Sequence, residues 1–116
     1  MLVNLLQAKL HRVRVTQADL HYEGSCGIDE DLLRAAGLRM NQYIEIYNVA
    51  NGERFSTYII NAPAGSGEIS LNGAAARKAL VGDHLIICAY SLYTQAEAEA
   101  HHPIVVLVDD RNRPRS

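Results

Sequence analysis

The sequence predicts a single, mainly β domain: a small closed or nearly closed β-barrel with only short helices. Three observations support this fold class. Most apolar segments are strand-length runs, two of them alternate around an Asn-Gly pair, and the helical segments span only about two turns. Barrels accommodate many short strands without exposed edges, whereas a parallel sheet needs longer helices to cover its faces. A length of 116 residues suffices for one hydrophobic core and not for two.

The N-terminal segment predicts a strand followed by a helix. Residues 5–15 approximate strand alternation, but Leu10 and Val13 fall on opposite parities, which a β-bulge or a strand buried on both faces explains. Further along, Asp29 is typical of a helix N-cap and Gly37 of a helix end, so the residues between them predict a short helix.

The clearest element is a hairpin. Residues 42–49 and 54–60 both alternate between apolar and polar side chains, and Asn51-Gly52 lies between the two runs. Because an Asn-Gly pair between alternating runs is the strongest short-range hairpin signal, these residues predict two antiparallel strands.

The remaining segments are predicted from turn residues and apolar runs. They are a polar loop at 16–25, a loop at 63–67, a strand at 68–71, a helix at 74–80, a turn at 82–83, a buried strand at 85–90, a helix at 95–101 and a buried strand at 104–108. Beyond Asp110 the polar tail predicts a frayed end.

Composition excludes several classes of function. Eleven Lys+Arg against 13 Asp+Glu leave a net charge of -2, so no global positive field favours nucleic acid. The apolar runs are far shorter than the roughly 20 residues of a membrane span, and no secretion signal opens the chain, so we expect a cytoplasmic protein. Cys26 and Cys88 are then expected to be reduced and buried. The histidine spacing predicts no metal site.

Gly24-Ser25 is the first candidate for chemistry. The Ser25 hydroxyl is positioned by sequence to attack the carbonyl of Gly24, and glycine tolerates the backbone distortion that such an attack requires. An acyl shift followed by β-elimination and hydrolysis then cuts the chain and leaves a pyruvoyl group. The alternative is an ordinary turn, as Gly65-Ser66 of the same chain illustrates.

The wider sequence resembles the pyruvoyl-dependent aspartate 1-decarboxylases over nearly its full length. The segments that carry the resemblance are residues 9–12, 18–25, 51–54, 57–58 and 72–76, which read KLHR, ADLHYEGS, NGER, TY and NGAAA. The resemblance implies a double-psi β-barrel and a homotetramer whose site is shared between neighbouring subunits. It also implies self-cleavage into residues 1–24 and 25–116, and conversion of L-aspartate to β-alanine and CO2 for pantothenate and coenzyme A synthesis.

The same resemblance implies roles for individual residues. The pyruvoyl cofactor derived from Ser25 forms a Schiff base with the substrate amine and accepts the electrons released by decarboxylation. Tyr58 is the implied proton donor, and Thr57 is implied in both processing and substrate contact. His11 and Tyr22 resemble supporting residues that line the same pocket.

The charges and strand positions of the candidate residues agree with parts of this assignment. A dicarboxylate substrate needs fixed cations, and Lys9 and Arg54 supply them from different predicted strands. Tyr58 lies on the same strand face as Arg54, whereas Thr57 points to the opposite face, so that a bulge or a two-sided site is required. The alternative for Arg54 is an exposed hairpin residue.

The segment 72–75 opens a predicted helix. Free backbone N–H groups of Gly73, Ala74 and Ala75 at such a start suit a carboxylate or a developing oxyanion. The alternative is an ordinary cap by Asn72 followed by good helix formers.

Two other functions remain open from the sequence. The first is a β-barrel binding or assembly module that never cleaves itself, and the second is an enzyme for another acidic amino acid such as glutamate, because two cations do not fix the distance between two carboxylates. The sequence also leaves open whether maturation needs a helper protein.

Overall fold

The computed structural model describes residues 1–115. These residues form nine strands, two α-helices and one 3-10 helix. The strands are β1 (Val3–Arg14), β2 (Gln17–Asp19), β3 (Ser25–Asp29), β4 (Tyr43–Asn48), β5 (Arg54–Ala62), β6 (Ile69–Asn72), β7 (His84–Tyr93), β8 (Ile104–Val108) and β9 (Pro114–Arg115). The helices are α1 (Glu30–Ala36), α2 (Gln95–Ala100) and the 3-10 helix Gly73–Lys78.

The strands close into a small barrel. Their order is β2-β6-β3-β5-β4-β7-β1-β8-β9, and β2 follows β1 in the chain after only two residues. Thr16, one of those two, donates its N–H to the carbonyl of Ile69 at 2.9 Å, which joins the bent β1–β2 chain to β6. Since β1 also pairs with β7, the ring closes, and the predicted mainly β fold with a small barrel and short helices is confirmed.

The barrel interior is filled by branched aliphatic side chains. Inward-facing positions on β1, β4 and β7 alternate with outward-facing ones, as the 2.0-residue period of a strand requires. The largest fully buried side chains are Leu10, Ile28, Leu32, Ile44, Ile46, Ile59, Ile69, Leu71, Leu85, Ile87, Val13 and Val15. Each of them stabilises the fold by about 1.5–3 kcal/mol relative to an exposed position.

The predicted irregularity in β1 is confirmed as two bulges. The register against β7 shifts between Leu6 and Ala8 and again between His11 and Val13. Arg12, inside the second shift, has a φ of 62°. The shift turns Val13 to the same interior as Leu10, and both side chains are completely buried.

The predicted hairpin and first helix are also confirmed. β4 and β5 pair from Tyr43↔Tyr58 to Tyr47↔Arg54, and the Gly52 N–H donates to the Asn48 carbonyl at 2.9 Å to close the turn. Asp29 caps α1 through a 2.8 Å bond from the Asp31 N–H, and Gly37 ends it in the left-handed conformation.

Two predictions for the middle of the chain need correction. The loop predicted at 16–25 contains the short strand β2, because the polar residues 17–19 pair in parallel with β6 at the barrel closure. The helix predicted at 74–80 is a 3-10 helix over Gly73–Lys78, and the Asn72 side chain makes no capping bond to it. Asn72 itself ends β6 in an extended conformation.

The predicted frayed tail is wrong for residues 111–115, and Ser116 lies outside the described residues. The predicted burial of residues 104–108 is wrong as well. Asn112 is buried and exchanges hydrogen bonds with the backbone of Arg14, and β9 pairs with β8. The strand β8 does form, but of its side chains only Val106 is buried, since β8 lies outside the closed ring. The polar composition of residues 111–115 therefore did not indicate that hydrogen bonds between the Asn112 side chain and the backbone hold this segment in place.

Candidate active site

The peptide between Gly24 and Ser25 has an unusual conformation. Ser25, the first residue of β3, is 3% exposed and has a φ of 92°, in a region that residues other than glycine rarely occupy. Its hydroxyl donates to the carbonyl oxygen of Gly24. Backbone strain of this kind costs about 1–3 kcal/mol and persists only where the surroundings enforce it.

Backbone atoms of the 3-10 helix lie close to this peptide. Gly73 has a φ of 64°, and a Cβ placed there would lie 3.3 Å from the Cα of Gly24 and 3.4 Å from the carbonyl oxygen of Tyr22. A Cβ on Gly24 would lie 3.6 Å from the hydroxyl oxygen of Tyr58. The two glycines therefore allow two backbones and a phenol to meet at the Ser25 peptide.

A cavity of about 300 Å³ opens beside this peptide. Its lining comes from the start of β3, from β5, from the end of β6 and from the 3-10 helix. The lining residues are Gly24, Ser25, Phe55, Ser56, Thr57, Tyr58, Asn72, Ala74, Ala75 and Lys78. The structure thus brings Ser25, Thr57, Tyr58 and Asn72 together, as expected from the sequence.

Thr57 and Tyr58 both line this cavity although they alternate along β5. Pairing of β5 with β4 covers Arg54 to Tyr58, but pairing with β3 begins only at Ile59. The cavity therefore lies at an edge of β5 that β3 leaves open, and side chains from both faces reach an edge. Of the two explanations considered for Thr57, the two-sided site agrees with this geometry.

The two expected cations lie elsewhere in the same protomer. Arg54 and Lys9 do not line the cavity. Arg54 is exposed on the outer face of the barrel, and its guanidinium carbon lies 3.9 Å from the centre of the Tyr47 ring. At about 3.3 Å per strand residue, the Cα atoms of Arg54 and Tyr58 are roughly 13 Å apart. Lys9 is half-buried on β1, opposite Cys88 of β7.

Lys9 and Arg54 both lie near the Cys88 thiol on the outer face. Burial raises the pKa of this thiol, as does the Glu45 carboxylate, while the Tyr90 hydroxyl and the positive charges of Lys9 and Arg54 lower it. Burial, Lys9 and Arg12 together lower the pKa of His11. The two expected cations are therefore close enough to act on the same side chain.

The expected supporting residues are less closely associated with the cavity. The Tyr22 ring is 56% exposed and does not line it, although its carbonyl oxygen faces Gly73. His11 lines a different cavity of about 190 Å³, and its Nδ1 is buried without a hydrogen-bond partner within residues 1–115. Gly73 packs against Gly24 and does not line the cavity beside Ser25.

Sequence reasoning missed several residues that the fold places here. Phe55, Ser56 and Lys78 line the cavity. The alternation of β5 could have identified Ser56, which shares the face of Tyr58. Lys78 reaches the cavity from the end of the 3-10 helix, and no local sequence pattern indicates that position.

Two further findings concern the described part of the chain. Within residues 1–115 no group of three or more His, Cys, Asp and Glu side chains is arranged to hold a metal ion. None of the helices there has the length and apolarity needed to span a membrane.

Fold and site together define a class: a small β-barrel protein in which a strained serine, Ser25, faces the carbonyl of its own preceding peptide beside a cavity. The family model described as aspartate decarboxylase matches residues 1–115. Aspartate 1-decarboxylase of Bordetella pertussis is 70% identical over 109 residues, covering 94% of this chain and 89% of that protein. Aspartate 1-decarboxylase of Polynucleobacter asymbioticus is 67% identical over 108 residues, covering 93% and 90%. The chain belongs to the aspartate decarboxylase family.

Proposed function

We propose that this protein is a pyruvoyl-dependent aspartate 1-decarboxylase, a carboxy-lyase that converts L-aspartate to β-alanine and CO2. The observation that carries the proposal is the Ser25 hydroxyl in contact with the Gly24 carbonyl, at a strained peptide beside a cavity. The names of the relatives favour aspartate over glutamate as substrate. The β-alanine formed feeds pantothenate and coenzyme A synthesis.

Self-cleavage begins with Ser25. Its Oγ attacks the carbonyl carbon of Gly24, and the peptide bond shifts to an ester. Loss of the Ser25 α-proton then expels the Gly24 carboxylate, which separates residues 1–24 from 25–116. Hydrolysis of the remaining dehydroalanine releases ammonia and leaves a pyruvoyl group. The strain at φ 92° supports the first step, because a ground state raised by about 1–3 kcal/mol lies closer to the transition state.

The residues around Ser25 fit a pyruvoyl group. When formed, the group supplies an electrophilic carbonyl that binds the substrate amine and takes up the electrons released as CO2 leaves. Tyr58, whose hydroxyl lies against Gly24, returns a proton to the carbon that has lost CO2. Thr57 contributes its hydroxyl to processing and substrate contact. Asn72, Ala74 and Ala75 form the wall that excludes water from the substrate.

The substrate carboxylates bind Arg54 and Lys9 of a neighbouring protomer. Within one protomer these cations lie on the outer face of the barrel, away from the Ser25 cavity. Exposed apolar side chains of Tyr43, Tyr90, Leu92 and Val105 on the outside of β4, β7 and β8 support burial of this face in a homotetramer. Each complete site then takes its nucleophile from one subunit and its cations from the next.

The two cysteines support a cytoplasmic location. Cys26 and Cys88 are both buried and form no disulfide. Reduced thiols are the ordinary state of cysteines in the cytosol. A cytoplasmic location would also give the enzyme direct access to free aspartate.

The proposal is tested by removing the Ser25 hydroxyl. Ser25→Ala is expected to abolish both chain cleavage and β-alanine formation, because the nucleophile and the precursor of the cofactor are the same residue. Ser66→Ala is the matched control, since Ser66 also follows a glycine but lies exposed in a turn. The measurements are denaturing gel electrophoresis and β-alanine released from L-aspartate and L-glutamate. Continued β-alanine formation by Ser25→Ala would contradict the mechanism, and an uncut wild-type chain without activity would favour a binding module.

A further inference from the structure

A row of side chains connects Arg54 to the centre of the outer barrel face. The row crosses three neighbouring strands, from β5 over β4 to β7. The Arg54 guanidinium lies on the Tyr47 ring at 3.9 Å, and the hydroxyls of Tyr47 and Tyr90 are 2.9 Å apart. Behind them lies Cys88, which is 4% exposed although it points to the outside of the barrel. Cys88 lies between Lys9 of β1 and Glu45 of β4 in the paired strands.

We infer that Tyr90 is a positioning residue for substrate binding: it holds the Tyr47 ring, and through it the Arg54 guanidinium, in the orientation that receives a substrate carboxylate. This inference rests on the proposed function, since it takes Arg54 as the partner of that carboxylate. Tyr90 itself touches no substrate in this arrangement, because the Tyr47 side chain separates it from Arg54.

In the described part of the chain, the Tyr47 ring is the group that orients Arg54. Within residues 1–115 its guanidinium forms no ion pair and no side-chain hydrogen bond. The two acidic side chains nearby in the hairpin are engaged elsewhere, since Glu45 accepts from the Tyr43 hydroxyl and Glu53 pairs with Lys78 at 3.4 Å. A guanidinium whose carbon lies 3.9 Å over a ring keeps N–H groups available for bidentate binding of a carboxylate. The Tyr47 ring therefore limits the positions from which Arg54 offers its donors.

The orientation of the Tyr47 ring depends in turn on Tyr90. A half-buried phenol on a strand rotates between positions unless its hydroxyl is held, and the Tyr90 hydroxyl is the partner in this structure. Tyr90 is carried by β7, which pairs with the β4 strand of Tyr47. The bond to Tyr47 and burial both raise the pKa of Tyr90, so its hydroxyl keeps its proton at neutral and moderately alkaline pH. The contact thus persists under the conditions in which the enzyme works.

The test uses Tyr90→Phe, Tyr47→Phe and the double variant, each of which removes the same hydroxyl-to-hydroxyl bond and keeps the rings. Tyr93→Phe is the matched control, because Tyr93 lies on the same strand and its hydroxyl has no hydrogen-bond partner within residues 1–115. For each self-processed protein we would measure KM and kcat for L-aspartate. Calorimetry would give the Kd of succinate, which carries both carboxylates of aspartate and no amine. Light scattering would compare assembly.

Tyr90→Phe and Tyr47→Phe are each expected to raise KM and the succinate Kd by roughly three- to tenfold, the equivalent of one hydrogen bond. We expect kcat to stay within about twofold of wild type, and assembly and cleavage to be unchanged. The double variant should match the single variants, because the cycle removes one shared interaction.

Wild-type values of KM and succinate Kd in Tyr90→Phe would overturn the inference, as would a double variant whose effect is the product of the two single effects. A Tyr93→Phe variant as impaired as Tyr90→Phe would overturn it too. Succinate binding separates this inference from the proposed function. A wild-type protein that binds succinate but does not release β-alanine contradicts the function, while a weaker succinate complex in Tyr90→Phe still supports the positioning role.

Discussion

The proposed nucleophile, the Ser25 hydroxyl, is followed in the chain by a thiol, that of Cys26. Burial raises the pKa of the Cys26 thiol to about 12, so Cys26 stays protonated at neutral pH and is a poor nucleophile. Its side chain is fully buried in the core, whereas Ser25 lines the cavity. Position rather than intrinsic reactivity therefore selects Ser25, whose hydroxyl contacts the carbonyl it is to attack.

Tyr58→Phe removes one oxygen atom and tests whether self-cleavage and decarboxylation depend on it separately. The variant keeps the ring beside Gly24 and removes the proposed proton donor. We expect the chain to be cut, and kcat for aspartate per pyruvoyl group to fall by about 10²–10⁴-fold, the usual contribution of a general acid. Steady-state assays of the processed protein give this ratio, with Tyr93→Phe as control. A kcat equal to that of wild type would remove Tyr58 from the mechanism.

At the scale of secondary structure, the site depends on a missing strand pairing in β3 and on a missing side chain in the 3-10 helix. β3 begins to pair with β5 only at Ile59, which leaves an edge open for the cavity. The 3-10 helix begins with a glycine whose missing side chain lets it approach Gly24. A site at a strand edge and a contact between two backbones both depend on tertiary pairing, so neither is visible in a local pattern of residues.

Gly73→Ala is expected to disturb that approach. The new methyl group would meet Gly24 at 3.3 Å, and the φ of 64° adds backbone strain of about 1–2 kcal/mol. Because Gly24 must then shift and the Ser25 peptide must relax, we expect self-cleavage to slow by about tenfold or more. The fraction of cut chain against time measures this rate.

Gly52→Ala provides the matched control for Gly73→Ala. Gly52 has a comparable φ of 76°, but a Cβ there meets nothing within 4 Å. The control should therefore carry the strain without the contact, and should cleave at the wild-type rate. Equal cleavage rates in the two alanine variants would show that the approach to Gly24 is irrelevant.

At the scale of the whole molecule, the sequence predicted much of the architecture and less of the site. Periodicity and turn residues identified the hairpin, α1 and the bulged first strand, because their signals are local. The ordered tail was missed because Asn112 is held by a backbone nearly a hundred residues away in sequence, at Arg14. The shared strand face of Arg54 and Tyr58 was predicted, but only the folded barrel shows that the cavity at the open edge of β5 includes Tyr58 and not Arg54.

That separation gives a prediction for the assembled protein. Ser25→Ala lacks the nucleophile and Arg54→Ala lacks the cation, so each homotetramer alone is expected to be inactive, although Arg54→Ala still cleaves itself. When the two variants are produced together, about a quarter of sites should combine an intact Ser25 with an intact neighbouring Arg54, if subunits mix at random. Activity of the co-produced protein, compared with separately purified proteins mixed after folding, measures this recovery. Complete inactivity of confirmed mixed tetramers would place both residues in one subunit.

Self-cleavage is tested most directly by the intact mass of the purified, denatured wild-type protein. Self-cleavage leaves two peptides with no covalent bond between them, and we expect the larger one to begin at position 25 with a pyruvoyl group in place of the serine amine. A larger peptide that begins with a free serine amine would mean ordinary hydrolysis without a cofactor. That result, or a chain that stays whole while it converts aspartate to β-alanine, would contradict the account.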